Sequence, residues 1–158
     1  MPSIKEATAD FLSQKRIAVT GVSRHPENHS ANLVYRRLRE HGYEVFAVNP
    51  NAEEVEGDKA YANLTAIPGG VDAAVIGTRP ERAEATMREC ADLGIERVWM
   101  HRAFGEGSVS ETATRYGRAH GITVIDGGCP CMFGATADCG HTMMRWMATL
   151  AGNVPKNV

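Results

Sequence analysis

Short apolar runs alternate with longer segments of helical periodicity along this chain. The apolar runs consist mainly of β-type residues and occupy residues 16–20, 44–48, 73–77, 97–101 and 122–125. The segments with helical spacing occupy residues 3–13, 31–41, 81–93, a stretch that begins after Ser108 or Ser110 and ends near 120, and about 136–151. This alternation predicts parallel strands joined by helices. Because the runs are apolar throughout, both faces of the sheet are predicted to be covered.

Two of the predicted helices carry apolar residues whose burial can be anticipated. In the helix at 31–41, the side chains expected to face the sheet are Leu33, Val34, Tyr35 and Leu38. In the last helix, a stripe is formed by Met143, Met147 and Leu150, and Trp146 widens it. The spacing predicts that this stripe packs on the sheet. The alternative is a self-association surface, because exposed Met and Trp are enriched at interfaces.

The elements together predict an α/β fold in one domain, residues 1–158, with a doubly wound, mainly parallel five-stranded sheet and helices on both faces. The polar, acidic residues 51–58 are expected to form a loop. Right-handed crossovers bring the carboxyl ends of all the strands to one edge of the sheet. The loops that converge there are residues 21–24, 49–50, 78–80, 101–105 and 127–131. Open α/β sheets bind their ligands at that edge.

The amino-acid composition of the chain argues against some classes of binding partner. The chain has 158 residues, of which 43% are hydrophobic and 23% charged, and its net charge is −2. This balance argues against a nucleic-acid surface, which needs a basic excess. No apolar stretch approaches the ~20 residues that span a bilayer, and Lys5, Glu6 and Asp10 interrupt any signal-peptide pattern. We therefore expect a cytoplasmic protein whose four cysteines are reduced thiols.

The first strand and its loop, RIAVTGVSR at residues 16–24, have the form of a phosphate-binding strand–glycine–helix unit. The dinucleotide fingerprint is incomplete, because only Gly21 of its three glycines is present. A Walker A loop is absent as well. The second strand ends at Asn49, where an NAD-binding protein would carry an acidic residue for the ribose. The pattern therefore predicts a nucleotide ligand and disfavours NAD.

Several of these segments resemble a known protein family. They are GVSR at 21–24, HGYEVFAVNP at 41–50, GDKAY at 57–61, TRP at 78–80 and VWMHRAFGEGS at 98–108. They resemble the single-domain CoA-binding proteins, which are similar to the CoA-binding domain of the succinyl-CoA synthetase α subunit. The resemblance covers roughly residues 17–133. It implies a Rossmann-like fold and coenzyme A, or an acyl-CoA, as the ligand.

The resemblance also implies roles for individual residues. Those implied for the pyrophosphate are Gly21, Val22 and Ser23, with Arg24 supplying charge. Those implied for the adenosine and the nucleotide groove are Asn49, Pro50, Thr78 and Pro80. Those implied along the pantetheine arm are Met100 and His101.

Physical chemistry adds two kinds of candidate to that set. Ser30 joins Ser23 as a hydroxyl donor beside the start of a helix, whose positive dipole end attracts phosphate. Coenzyme A carries a 3′-phosphate that NAD lacks, so an additional cation is expected, and arginine suits phosphate geometrically. The cations available for it are Arg24, Lys59, Arg79 and Arg102.

Three features could support chemistry or another ligand. His101 ends a strand at the ligand edge and could act as an acid or base. Cys129 and Cys131 could exchange disulfides with the CoA thiol. Zinc binding by these thiols with Cys139 and His141 is disfavoured, because the last two residues would point about 200° apart on a helix.

The sequence therefore predicts a CoA-binding module with no assigned catalytic residue and no metal. The first alternative is a CoA-dependent transferase or thiol-redox enzyme that uses His101 or the pair Cys129 and Cys131. The second is an NAD(P)-binding regulator. A homodimer or a contact with a partner protein is compatible with all three, and nucleic acid and membrane are not expected as partners.

Overall fold

The structure is a computed structural model that describes residues 2–103, 107–134, 139–155 and 157–158. Seven strands form one sheet in the order β3-β4-β2-β1-β5-β6-β7. The strands are β1 (Arg16–Thr20), β2 (Glu44–Val48), β3 (Glu54–Val55), β4 (Asp58–Tyr61), β5 (Ala73–Ile76), β6 (Arg97–Met100) and β7 (Thr123–Asp126). All neighbouring pairs are parallel except β3 with β4. The sheet is thus mainly parallel, as its apolar runs predict.

The predicted strand count was wrong, because the described residues form a sheet of seven strands where five were expected. The two additional strands, β3 and β4, form a hairpin at one edge of the sheet, and Glu56 and Gly57 connect them. β3 has only two residues, and one of them is exposed. So short and polar a segment carries no apolar alternation from which a strand could be predicted.

Within the described residues, five α-helices connect and flank the strands. They are α1 (Ile4–Leu12), α2 (Ser30–Glu40), α3 (Pro80–Asp92), α4 (Glu111–Ala119) and α5 (Cys139–Leu150). Single 3₁₀ turns lie at Pro26–Asn28 and Pro130–Met132. The predicted start of the last helix, at about 136, lies outside the described residues. Within the ranges described, no helix combines the length and the apolar character needed to cross a membrane.

The helices cover both faces of the sheet. On one face, α1, α2 and α5 contribute Phe11, Val34, Tyr35, Leu38 and Ala148 to a buried cluster. On the other face, α3 and α4 contribute Met87, Cys90 and Ala113 to a second cluster. The doubly wound Rossmann-like fold class is therefore confirmed.

One residue of the predicted inner face of α2 was misassigned. Leu33 is 37% exposed, whereas Val34, Tyr35 and Leu38 are buried. Residues 34, 35 and 38 share a face with Ala31 at helical spacing, and Leu33 lies outside that stripe.

The stripe of α5 is also not buried as predicted. Met143, Met147 and Leu150 are 67%, 50% and 70% exposed. The residue of α5 that packs in the core is Ala148. Periodicity identifies one apolar face but cannot specify which face meets the sheet. The side chain of Trp146 is outside the described part of the chain.

Candidate functional site

Two chain segments cross in close contact at the carboxyl edge of the sheet, between β1 and β5. Gly21 follows β1 with a φ of +80°, and a β-carbon added there would lie 2.4 Å from the carbonyl oxygen of Gly77. A β-carbon on Gly77 would lie 2.6 Å from the Thr20 oxygen and 2.7 Å from the β-carbon of Ala31. Only glycine therefore fits at either position. The strand order reverses direction at this point, which is where doubly wound sheets bind ligands.

A cleft of about 520 Å³ opens beside this crossing. Its walls come from the ends of β1, β2 and β5, the segment after β4, and α3. The lining residues are Thr20, Gly21, Val22, Ser23, His29, Val48, Asn49, Pro50, Asn51, Ala62, Asn63, Leu64, Thr78, Arg82, Ala85, Thr86 and Glu89. A second cleft of about 820 Å³ shares Pro50, Asn51 and Ala62 with it and continues past Glu53, Glu54 and Lys59. Both volumes are in the range of small-molecule sites.

The loop after β1 (residues 21–24) is held in place by side-chain amides. Asn49 donates from Nδ2 to the Val22 oxygen at 2.9 Å, and its Oδ1 accepts the Asn51 amide at 2.8 Å. Asn32 accepts the Ser23 amide at 2.8 Å. Among the described residues, the amides of Val22 and Arg24 have no acceptor. The loop thus presents two unused N–H donors, which are the groups that bind phosphate in such loops.

Thr78 lines the cleft, and its hydroxyl oxygen is buried without a hydrogen-bond partner among the described residues. A buried polar atom without a partner is costly, at about 1–3 kcal/mol, so it calls for an explanation. Thr78 follows β5 directly beside the glycine crossing. Rotation of the Thr78 side chain toward the cleft would let a polar ligand group supply the missing partner.

The cleft is lined by six of the fourteen residues that the sequence analysis named for the ligand. Those that line it are Gly21, Val22, Ser23, Asn49, Pro50 and Thr78. Four others lie outside the lining, with exposed or partly exposed side chains: Arg24, Ser30, Arg79 and Pro80. Met100 and His101 lie in the interior, at 0% and 5% exposure, and neither lines the cleft. A pantetheine contact by these two is therefore not supported by their position.

Sequence reasoning missed the wall formed by α3. Arg82, Thr86 and Glu89 follow each other at helical spacing and line the cleft together. Glu89 accepts the amide and the hydroxyl of Thr65, at 2.8 and 2.9 Å, and so holds the segment after β4 against α3. The periodicity of α3 could have identified this face, since it carries polar residues next to a helix start at the ligand edge.

Positive charge at the site is supplied by arginines near the edge of the sheet. Arg82 lines the cleft, and Arg24 and Arg79 are exposed beside it. Among the described residues, these three guanidinium groups form no ion pair. They remain available to an anionic ligand. Lys59 lies in the second cleft, with its ammonium 5.3 Å from the Tyr61 ring centre.

His101 is buried as a neutral imidazole. Its backbone amide donates to Ile76 and its carbonyl accepts from Ser108. Burial lowers the pKa of its side chain to about 4, because a charged ring would lose its hydration there. At neutral pH the ring carries no charge, and it lies away from the cleft.

The loop after β7, which carries Cys129 and Cys131, is buried as well. Cys129 is 3% exposed and Cys131 is fully buried. The hydrogen bond with Cys131, together with burial, raises the pKa of the Cys129 thiol well above its ordinary value. The thiolate is the nucleophile in disulfide exchange, so both features oppose reaction with a CoA thiol.

We expect Cys90, Cys129 and Cys131 to resist a thiol-labelling reagent in the folded protein. In a Cys139→Ser variant, these three thiols should react at least ~100-fold more slowly at pH 8 than after unfolding, because labelling then requires opening of the core. Burial also raises the pKa of Cys90 to about 12. Rapid labelling of Cys129 or Cys131 in the native state would revive the thiol-redox alternative.

Among the described side chains, no group of three or more His, Cys, Asp or Glu residues is arranged to hold a metal ion. The zinc site considered from the sequence would also use Cys139 and His141, whose side chains are not among those that the structure describes. Their backbone is helical.

Comparison with known proteins adds the family context. A family described as "CoA binding domain" matches residues 15–135. The α subunit of acetate–CoA ligase (ADP-forming) II from Pyrococcus furiosus is 38% identical over 98 residues, which are 61% of this chain and 21% of that subunit. This chain thus spans about a fifth of that relative.

Two relatives are closer to this chain in length. The uncharacterized protein YneT of Bacillus subtilis is 31% identical over 124 residues, covering 78% of this chain and 88% of YneT. A solved structure of a hypothetical protein from Pyrococcus horikoshii OT3 superposes with a TM-score of 0.69 at 29% identity. That superposition covers 76% of this chain and 82% of the other.

Proposed function

The chain belongs to the CoA-binding domain family, and on that premise we propose that it binds coenzyme A or an acyl-CoA in the cleft beside Gly21, as a non-catalytic binding or regulatory module. The observation that supports the proposal is the buried hydroxyl of Thr78, which has no partner among the described residues and belongs to a residue that lines that cleft. The remaining groups of the cleft can be matched to the parts of the ligand.

The pyrophosphate fits the loop after β1. The Val22 and Arg24 amides are unused by the described residues, and Gly21 removes the side chain that would block close approach. The loop leads through a 3₁₀ turn into α2, whose N-terminus carries about half a positive charge. Arg82, Arg24 and Arg79 add positive charge around the edge.

The adenosine fits the wall formed by the ends of β2 and β4. Val48, Pro50, Ala62 and Leu64 supply apolar surface there, which suits the faces of a purine. The Asn49 amide is already used to hold the Val22 carbonyl. Its oxygen accepts the Asn51 amide, so Asn49 differs from the free carboxylate that accepts the ribose hydroxyls in an NAD site.

A binding role without catalysis agrees with the placement of the groups considered for chemistry. His101, Cys129 and Cys131 are buried and none of them lines the cleft. The acetate–CoA ligase relative is about five times as long as the region it shares with this chain. In that relative, the shared region lies within a much larger subunit of a ligase.

The Thr78→Val variant separates binding from folding. We expect calorimetric titration to show CoA binding weakened about tenfold, because the hydroxyl loses its ligand partner. The free energy of unfolding should stay the same or rise slightly, since a buried hydroxyl without a partner is removed. Thr114→Val is the matched control: the Thr114 hydroxyl in α4 also lacks a partner among the described residues and lies outside the cleft. Its CoA affinity should equal that of the unaltered protein.

Ligand selectivity completes the test. In the same titrations, CoA should bind more tightly than dephospho-CoA, NAD and NADP, and Arg82→Ala and Arg24→Ala should each weaken CoA about three- to tenfold by removing charge–phosphate contacts. Tighter binding of NAD or NADP would overturn the proposal. So would equal CoA affinity in the Thr78→Val and unaltered proteins.

A further inference from the structure

Asn32 of α2 links the loop after β1 to the β3–β4 hairpin. It is fully buried in the first turn of α2. Its Oδ1 accepts the Ser23 amide at 2.8 Å, and its Nδ2 donates to the Ser23 carbonyl at 2.8 Å. The same Nδ2 donates to the Glu56 carboxylate at 2.8 Å. One side-chain amide thus uses its acceptor and both donor positions, and two of the three bonds hold Ser23 of the loop after β1.

Glu56 occupies an unusual backbone position in the β3–β4 hairpin. Its φ is +53°, and Gly57 follows at +79°. Two successive positive φ values are typical of a tight hairpin turn, where Asn, Asp or Gly is preferred at the first position. A glutamate there costs about 1 kcal/mol in backbone strain. Backbone strain of this kind persists where other interactions of the same residue hold it in that conformation.

The carboxylate of Glu56 meets two partners. It accepts from Asn32 at 2.8 Å and from the Arg36 guanidinium at 3.1 Å. Its side chain is only 10% exposed. Arg39 donates to the Glu56 carbonyl and to the Asp58 carboxylate, at 2.9 and 2.7 Å, which holds the turn onto α2. The hairpin is therefore positioned to hold the Asn32 amide in one orientation.

We propose that Glu56 is a positioning residue for the ligand site, acting through Asn32 on the loop that presents the Val22 and Arg24 amides. Glu56 does not line the cleft. The orientation of Asn32 matters because rotating its amide by 180° would place a donor against the Ser23 N–H. The Glu56 carboxylate accepts only from the NH₂ group, so it reinforces the orientation that the Ser23 N–H and carbonyl also favour and fixes the Asn32 side chain in place. The effect on CoA affinity rests on the proposed function, whereas the effect on the loop does not.

The test combines titration with a thermodynamic cycle. We expect Glu56→Ala and Asn32→Ala each to weaken CoA about tenfold or more, and the double variant to bind no more weakly than Asn32→Ala. Such non-additivity is expected when two residues act in one network. Glu56→Gln keeps an acceptor for Asn32 and should restore affinity to within about twofold. Arg36→Ala, which removes only the ion pair, is the matched control and should bind as the unaltered protein does.

Hydrogen exchange of the ligand-free protein tests the positioning directly. The Ser23 amide should exchange about tenfold faster or more in Glu56→Ala and Asn32→Ala, whereas the Gly21 amide, which donates to Val48, should keep its rate. Unchanged Ser23 exchange in Glu56→Ala, or additive losses of affinity, would overturn the inference. If the unaltered protein bound no CoA, the proposed function would fail, and Ser23 exchange would still decide whether Glu56 holds the loop.

Discussion

Replacing Gly21 with alanine is expected to lower the free energy of unfolding by at least about 3 kcal/mol and to abolish measurable CoA binding. The φ of +80° costs a non-glycine residue about 1–2 kcal/mol. The added β-carbon would in addition lie 2.4 Å from the Gly77 oxygen, 2.6 Å from its carbonyl carbon and 2.9 Å from the Thr78 nitrogen. All three are backbone atoms of the β5 end and cannot rotate away, so the loop and β5 must separate.

Gly42→Ala is the matched control for this prediction. Gly42 ends α2 with a φ of +85°, and nothing lies within 4 Å of an added β-carbon. An alanine at position 42 therefore has the same conformational strain as one at position 21 but makes no steric clash. Thermal unfolding should show a decrease in Tm of about 2–4 °C per kcal/mol for a domain of this size, so Gly21→Ala should lose about 10 °C and Gly42→Ala much less. Equal losses in the two variants would show that the crossing tolerates a side chain.

Acidification from pH 6.5 to pH 4 is expected to remove about 3 kcal/mol of stability through His101 alone. Burial lowers the pKa of His101 from 6.5 to about 4 in the folded state. Between these values the unfolded chain binds a proton that the folded chain does not. The contribution of His101 is thus fully present above pH 6.5 and decreases as the pH falls, until the folded state also takes up the proton near pH 4.

Denaturant unfolding at several pH values measures this dependence. Carboxyl groups titrate in the same range, so the comparison is with His101→Asn, which retains a polar side chain and cannot take up the proton. The variant should be less stable than the unaltered protein at pH 7, and the difference should shrink by about 3 kcal/mol at pH 4. A constant difference across this range would show that His101 is not buried in its neutral form.

Much of the fold could be predicted from local pattern. The apolar runs identified β1, β2, β5, β6 and β7 within one or two residues, because continuous apolar strands are diagnostic of a covered parallel sheet. The β3–β4 hairpin escaped prediction, since its strands are short and polar and Glu56 stands where a turn signal would be Asn or Gly. The β3–β4 hairpin is held at the edge of the sheet by its hydrogen bonds with α2.

The residues of the site that directly follow a predicted strand could be predicted from the sequence. Gly21, Asn49 and Thr78 each follow a predicted strand, and all three line the cleft. Arg82 and Glu89 were missed because they reach the cleft from the side of α3, which depends on how that helix rests on the sheet. Met100 and His101 end a predicted strand in the same way as Thr78, yet both are buried. Position at the ligand edge does not by itself give access to the ligand.

The sequence by itself determined the α/β alternation, the glycine turn after β1, the absence of an NAD fingerprint and the resemblance to CoA-binding proteins. These are properties of contiguous residues, whose periodicity and turn chemistry act locally. Only the tertiary structure decided which face of α5 is exposed, that Gly21 meets Gly77, and that Glu56 reaches Asn32 across 24 positions of the chain. Each of these depends on side chains or backbones brought together by packing, and no local pattern encodes such contacts.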